Sequence, residues 1–163
     1  MRHCFQLIVS VLCLVGLSSC DGTSFRSSVP RMSVNMTVDT NTGVYVHFVP
    51  TALCDYVILD KDGYHYKGHT EPRTVNDRIG YGGVIIYINM FGNYDAYDLA
   101  CPYCAERSLC VPCEIDGMYA VCPRCGEQYD LGSGTATPQN GKAHEYMLRL
   151  PISNIGGRLT VRQ

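Results

Sequence analysis

Hydrophobic residues recur along this chain with a period of two or in short runs, and no stretch keeps the 3.6-residue period of a helix. Residues 44–49 place Val, Val and Phe at every second position, which predicts a half-buried strand. Residues 56–59 form a short apolar run that ends in the turn sequence Asp-Lys-Asp-Gly, and residues 84–88 are the most strand-like segment. Further strands are predicted at residues 119–122, 146–150 and 159–161, with a hairpin turn at residues 154–157.

These segments together predict an all-β domain, either a small sandwich or a partly open barrel. No segment combines helix caps with a sustained helical period. The composition agrees with this prediction, because 12 tyrosines and 16 glycines favour strands and turns. The net charge of −2 and the scarcity of charged residues give no indication of nucleic-acid binding.

The N-terminus has the features of an export signal. A weakly basic start is followed by an apolar run at residues 5–17, which is too short to span a bilayer comfortably. The sequence Leu-Ser-Ser-Cys at residues 17–20 then matches a lipobox, in which Cys20 takes the lipid. The alternatives are an ordinary signal peptide with a chance cysteine, or a signal anchor. The lipobox predicts a signal peptide at residues 1–19, a flexible tether at 20–30 and a domain at 31–163, outside the cytoplasm and attached to a membrane.

Six of the ten cysteines form three C-x-x-C pairs between residues 101 and 125. The outer pairs, Cys101 with Cys104 and Cys122 with Cys125, both read C-P-x-C, and two such loops can supply four thiolates to one metal. The alternative is disulfides, which an oxidising compartment permits. The middle pair, Cys110 and Cys113, lacks a glycine after its second cysteine and is interpreted as a disulfide or as spare thiols, and Cys54 stands alone.

The two outer pairs lie in sequences that resemble the cluster loops of a Rieske iron–sulfur domain. DLACPY at residues 98–103 is similar to the family's D-x-x-C-P-H, and CPRCGEQYD at residues 122–130 is similar to C-P-x-H-G-x-x-F-D. The resemblance covers about residues 80–163, with a cluster-loop region at 98–143, and extends to divergent copies of this domain in bacterial lipoproteins. It implies a Rieske-like β fold and one-electron transfer to a partner protein in the cell envelope.

The chain departs from the Rieske pattern at both histidine ligands. Tyr103 stands at the first histidine position and Cys125 at the second. A one-residue shift to Cys104 gives an all-cysteine set of Cys101, Cys104, Cys122 and Cys125. Such a set suits zinc, a single iron or a ferredoxin-like [2Fe–2S] cluster, and it does not suit a true Rieske centre.

No catalytic motif accompanies the cysteines. The sequence contains no G-x-S-x-G, no P-loop and no H-E-x-x-H. His65 and His69 are interpreted as solvated loop residues, and His144 has no recognisable acidic or nucleophilic partner. The function expected is a lipid-anchored metal or iron–sulfur protein that carries electrons. The rival is a structural or interaction module whose loops are held by zinc or disulfides.

Overall fold

Fourteen short strands and two single helical turns make up residues 26–163, the part of the chain that this computed structural model describes. The all-β prediction is therefore confirmed. Among these residues, no helix is long and apolar enough to cross a membrane. In chain order the elements are β1 (Val34–Asp39), a 3₁₀ helix (Gly43–His47), β2 (Tyr56–Leu59), β3 (Tyr64–Tyr66), β4 (His69–Glu71), β5 (Arg78–Ile79), β6 (Val84–Ile88), β7 (Tyr94–Asp98), α1 (Pro102–Ala105), β8 (Glu114–Asp116), β9 (Tyr119–Val121), β10 (Gln128–Asp130), β11 (Thr137–Pro138), β12 (Arg149–Leu150), β13 (Ile152–Ile155) and β14 (Arg158–Arg162).

The strands form three open antiparallel sheets. A six-stranded sheet has the order β12-β7-β6-β2-β3-β4. A four-stranded sheet, β13-β14-β1-β5, pairs the first strand of the domain with the last. The other four-stranded sheet, β11-β10-β9-β8, follows the first cysteine pair in sequence and carries the third pair in its β9–β10 connection.

The six-stranded sheet separates two hydrophobic cores, and β6 contributes to both. Val84, Ile86 and Ile88 pack into the core shared with β1 and β14. Ile85 and Tyr87, from the opposite face of the same strand, pack into the core that contains the cysteine loops. Because successive side chains of a strand point to opposite faces, a strand covered on both sides must be apolar throughout. This explains why all five residues of β6 are buried and why the segment reads as a continuous apolar run.

The prediction of a strand at residues 44–49 is wrong. Residues 43–47 form a 3₁₀ helix instead, and Tyr45 within the helix and Phe48 directly after it turn into the core. Val46 is 42% exposed, whereas a half-buried strand would have buried it with the other alternate residues. A spacing of three between buried side chains is the period of a 3₁₀ turn, and the apparent alternation was a coincidence of composition.

Most of the other predicted strands are present with altered bounds. The segment predicted at 146–150 pairs only at Arg149 and Leu150. The hairpin predicted at 154–157 is present, with Ile155 opposite Arg158 and Gly156 and Gly157 between them. Both glycines have positive φ, as a two-residue hairpin turn with this twist requires.

The N-terminal edge of the domain lies inside the segment predicted to be a tether. Val29 is 3% exposed and belongs to the first core. The backbone N–H of Ser28 donates to Glu145 Oε2 at 2.5 Å. The predicted signal peptide, Cys20 and the start of the tether lie outside the described residues.

Candidate metal centre

The first cysteine loop, residues 99–105, leaves the end of β7 and closes in one turn of helix. Cys101 has extended backbone angles and precedes α1, and Pro102 occupies the first helical position, where its fixed φ is suited to a helix start. The N–H of Ala105 donates to the carbonyl of Cys101 at 2.9 Å. This turn brings Cys104 to the same side as Cys101, and both side chains are buried.

A buried carboxylate fixes the start of this loop. Asp98 is 1% exposed, and its two oxygens accept hydrogen bonds from the N–H groups of Tyr81, Gly82 and Ala100 at 2.7 to 2.9 Å. Burial raises the pKa of Asp98, and the three N–H donors partly oppose that rise. Gly82 is required at this contact, because a Cβ there would lie 2.5 Å from the backbone nitrogen of Ala100.

The second cysteine loop, residues 122–126, connects β9 to β10 as a tight turn. The N–H of Gly126 donates to the carbonyl of Cys122 at 2.9 Å, and the N–H of Cys122 donates to the carbonyl of Glu127 at 2.9 Å. Gly126 has a φ of +72°, a conformation that glycine adopts without the steric cost of a Cβ. The turn directs Cys122 and Cys125 towards the first cysteine loop.

A second buried carboxylate fixes this loop against residues 140–143. Glu127 is fully buried, and its oxygens accept hydrogen bonds from the N–H groups of Asn140, Lys142 and Ala143 at 2.7 to 2.9 Å. Burial raises the pKa of Glu127, but the backbone N–H donors outweigh it and the net pKa is lowered. The Lys142 ammonium also donates to the carbonyl of Cys125 at 2.5 Å. Both cysteine loops are thus held by carboxylates that accept several backbone N–H groups.

The four sulfurs of the outer pairs converge at one point. Cys101 Sγ lies 3.7 Å from Cys125 Sγ, and Cys104 Sγ lies 3.7 Å from Cys122 Sγ. All four sulfurs lie within 4.8 Å of one another. The two short contacts join a cysteine of one loop to a cysteine of the other, so the four residues form one set and not two separate pairs.

These distances match the geometry of one tetrahedral ion. A metal–sulfur bond of about 2.3 Å places two thiolates of a tetrahedron about 3.8 Å apart. In a [2Fe–2S] cluster each iron takes two of the four thiolates and sulfides bridge the irons, so that thiolates on different irons lie farther apart. The four cysteines could therefore hold a metal ion or a cluster, and the two 3.7 Å spacings between the loops are those expected for thiolates on one ion.

The surroundings of Cys101 favour its charged form. The neighbouring thiol of Cys113, in the same core, is the largest cause that lowers the pKa of Cys101. Burial opposes the shift, and the hydroxyl of Tyr129, 3.4 Å from Cys101 Sγ, adds to it. Burial raises the pKa of Cys104 and that of Cys125, the latter to about 11. A bound metal ion would supply the charge that favours deprotonation of the other ligands.

The remaining cysteines and the histidines lie outside this set. Cys54, Cys110 and Cys113 are free thiols, as are the other four described cysteines. His65, in β3, lies with its Nε2 2.9 Å from Asp60 Oδ1, and His69 is the first residue of β4. Among residues 26–163, the set of four cysteines is the one group of His, Cys, Asp and Glu side chains whose ligand atoms meet closely enough for a metal.

Comparison with solved structures finds a likeness to a ferredoxin. A solved structure of Sphingomonas yanoikuyae B1 ferredoxin is similar, with a TM-score of 0.40 and 12% sequence identity, covering 82% of this chain and 99% of the ferredoxin chain. No family model matches the sequence, and no curated protein matches it. Likeness at this level does not identify a family.

Sequence reasoning found the four cysteines but missed the residues that place them. Asp98, Glu127 and Tyr129 all lie in the two stretches that resemble Rieske loops, yet nothing in the sequence marks these side chains as buried. Tyr103, at the first position where the Rieske pattern has histidine, is half-buried, and the Arg107 guanidinium lies 3.8 Å from its ring centroid. Its neighbour Cys104 joins the sulfur set, as the one-residue shift predicts.

Proposed function

We propose that this protein binds one metal ion through Cys101, Cys104, Cys122 and Cys125, and that with iron in this site it acts as a one-electron carrier. The observation on which the proposal rests is the convergence of four sulfurs within 4.8 Å of one another, with two spacings of 3.7 Å that match the edge of a thiolate tetrahedron. Iron bound by four thiolates supplies exchange between the Fe(III) and Fe(II) states. The residues of the chain around the ion would exclude water and set its reduction potential.

The surroundings of the sulfurs are suited to electron transfer. Three of the four cysteines are buried, which excludes water, while Cys125 is half-buried and brings one sulfur close to the surface. The Tyr129 hydroxyl lies 3.4 Å from the sulfur of Cys101, where it can donate a hydrogen bond to the thiolate, and such donors disperse the thiolate's negative charge. Hydrogen bonds to the sulfurs and burial are two of the means by which a protein sets the potential of such a centre.

A structural zinc site is the second candidate, and one observation favours it. Cys101, Cys104 and Cys122 are members of the second hydrophobic core, together with Tyr97 and Tyr129. A zinc ion at this position would join the end of β7 to the β9–β10 connection and so tie the six-stranded sheet to the small sheet. Four-thiolate zinc sites of this kind contribute directly to folding.

Metal analysis of the purified protein distinguishes the two candidates. One iron per chain, with visible absorption that bleaches on reduction and a high-spin Fe(III) electron paramagnetic resonance signal, supports the electron carrier. One zinc in a colourless protein supports the structural site. Cys101→Ser should lose most of the bound metal because three thiolates leave an open position, whereas the control Cys54→Ser should keep it. A protein that binds neither metal, or that carries disulfides between the outer cysteines, would rule out both candidates.

The location and the partners are part of the same proposal. Support for a lipid-anchored envelope protein comes from the lipobox at residues 17–20, and support for a Rieske relationship comes from the two loop sequences. The expected partners are the membrane, through the lipid on Cys20, and a redox protein in the envelope. Labelling with a radioactive fatty acid tests the anchor. Label should follow the parent chain and be absent from Cys20→Ala, and label on the variant would contradict the lipobox.

A further inference from the structure

The middle cysteine pair, which the proposed metal site does not use, lies on the wall of a cavity beside that site. The cavity has a volume of about 560 Å³ and a mainly apolar lining, which includes Ile58, Leu99 and Ile115. Cys110 and Cys113 both line it. Two thiols, separated by two residues in sequence, therefore line the same open cavity.

The two thiols occupy different depths. Cys110 is exposed, and its Sγ donates to the carbonyl of Tyr81 at 3.1 Å. Cys113 is only 4% exposed and packs in the second core together with Cys101. An exposed thiol and a buried thiol thus line one cavity, and the buried thiol shares a core with Cys101, a proposed ligand of the metal.

Backbone hydrogen bonds fix the position of Cys113 beside the first cysteine loop. The N–H of Cys101 donates to the carbonyl of Val111 at 2.9 Å, and the N–H of Cys113 donates to the carbonyl of Leu99 at 2.8 Å. These two bonds form an antiparallel bridge between Ala100 and Pro112. Cys113 is consequently held next to the first cysteine loop and does not depend on a mobile segment for its position.

We propose that Cys110 and Cys113 form a loading route that passes an incoming divalent metal ion from the surface to Cys101 and its three partners. The inference rests on the proposed metal site. At each step the ion gains one bond to a cysteine sulfur and loses one bond to its previous ligand, a water molecule or the preceding thiolate. Each thiol that takes the ion releases its proton to solvent, each thiolate that gives it up regains one, and no electron is transferred.

The need for such a route follows from how the site is held. Three of the four ligands are buried, and Asp98 and Glu127 anchor both loops through several hydrogen bonds. Loops held in this way do not open easily to admit a hydrated ion. A thiol beside the site lets the ion exchange ligands one at a time and keeps it bound to sulfur throughout. The competing path is direct access at the half-buried Cys125.

The rate of metal loading tests the proposal. Metal-free parent protein and the variants Cys110→Ser and Cys113→Ser are mixed with Co²⁺ alone in a stopped-flow spectrometer, and thiolate-to-cobalt absorption reports the filled site. We expect both variants to bind one ion per chain but to load it on the order of tenfold more slowly. This is the lower end of the roughly 10- to 100-fold losses in metal affinity or activity that follow when a residue in contact with a metal ligand is replaced. Cys54→Ser, which removes a free thiol elsewhere, is the matched control and should load at the parent rate.

The outcomes separate this proposal from the proposed function. A parent chain that binds no Co²⁺, Zn²⁺ or iron contradicts the metal site itself. A parent chain that binds one ion, with Cys110→Ser and Cys113→Ser loading at its rate, overturns the loading route and leaves the site intact. Loss of bound metal in Cys113→Ser, with the fold retained, would make Cys113 a ligand and also overturn the route. Because Cys110 is exposed, Cys110→Ser tests the route even if replacement of the buried thiol disturbs folding.

Discussion

Replacement of Glu127 by glutamine is a direct test of how the second cysteine loop is held. The carboxylate is fully buried and accepts three backbone N–H groups, one through Oε1 and two through Oε2. A glutamine in the same place offers one acceptor oxygen. Its NH₂ group, which can only donate, must then face at least one of the three N–H groups.

The expected loss of stability follows from these contacts. A hydrogen bond to a charged group is worth about 1.5 to 3 kcal/mol, and Glu127→Gln removes at least one such bond and turns the others into weaker neutral bonds. An N–H group left buried without an acceptor adds a further penalty of about 1 to 3 kcal/mol. We therefore expect Glu127→Gln to lower the free energy of unfolding by about 3 kcal/mol, which is about 10 °C in Tm for a domain of this size.

Urea denaturation of the metal-free protein, followed by circular dichroism, measures this loss. Glu106→Gln is the matched control, because Glu106 lies beside the first cysteine loop but is 62% exposed and paired only with Arg107 on the surface. That control should change the free energy of unfolding by less than about 0.5 kcal/mol. Metal affinity should also fall in Glu127→Gln, by about 10- to 100-fold, since Glu127 positions the loop that carries two ligands. A Glu127→Gln protein as stable as the control would refute the view that this carboxylate holds the loop.

Three further predictions concern the same region. Tyr129→Phe removes the hydroxyl beside Cys101 Sγ, so metal content should be unchanged while the reduction potential of an iron-loaded form falls; a redox titration that gives the parent potential would contradict this. Gly82→Ala places a Cβ against the backbone of Ala100 and should cost about 2 kcal/mol in urea denaturation; parent stability would show that the close approach is not required. Removal of the metal with a chelator should lower Tm and make four more thiols reactive towards a thiol reagent, and a Tm that does not change on chelation would argue against a structural contribution of the ion.

The fold was predictable from the sequence where one physical requirement dominated. The five residues of β6 are covered on both faces, which imposes a continuous apolar run. The last hairpin was predictable because Gly156 and Gly157 supply the two positive φ angles of its turn. Residues 44–49 were misread because Tyr45 and Phe48 are three apart, a spacing that fits a 3₁₀ turn but is hidden when neighbouring valines are also apolar. The short strands β4 and β8 have exposed or half-buried residues and leave no hydrophobic pattern to detect.

The grouping of the four cysteines was predictable from the sequence, whereas the residues that hold their loops were not. Two C-P-x-C loops with similar surroundings indicate four thiolates, because that spacing turns both sulfurs of a loop to one side. The burial of Asp98 and Glu127 depends on which strands cover them, and acidic residues are usually exposed. The position of Cys113 beside Cys101 depends on the bridge between Ala100 and Pro112, a contact between segments whose relative arrangement no local pattern reveals.

The residues that shape the cysteine loops are not the residues that would bind the metal. Asp98 and Glu127 keep the shape of the cysteine loops, while the four cysteines provide the atoms that would touch an ion. A substitution at a cysteine would therefore change the donor set without removing the bonds that shape the loop. Over evolution, a few point mutations at the cysteines could then exchange one metal for another. The packing of the sheets would not have to change. For the protein engineer, the same separation makes the domain a frame in which sulfur, nitrogen and oxygen donors can be compared at one fixed site.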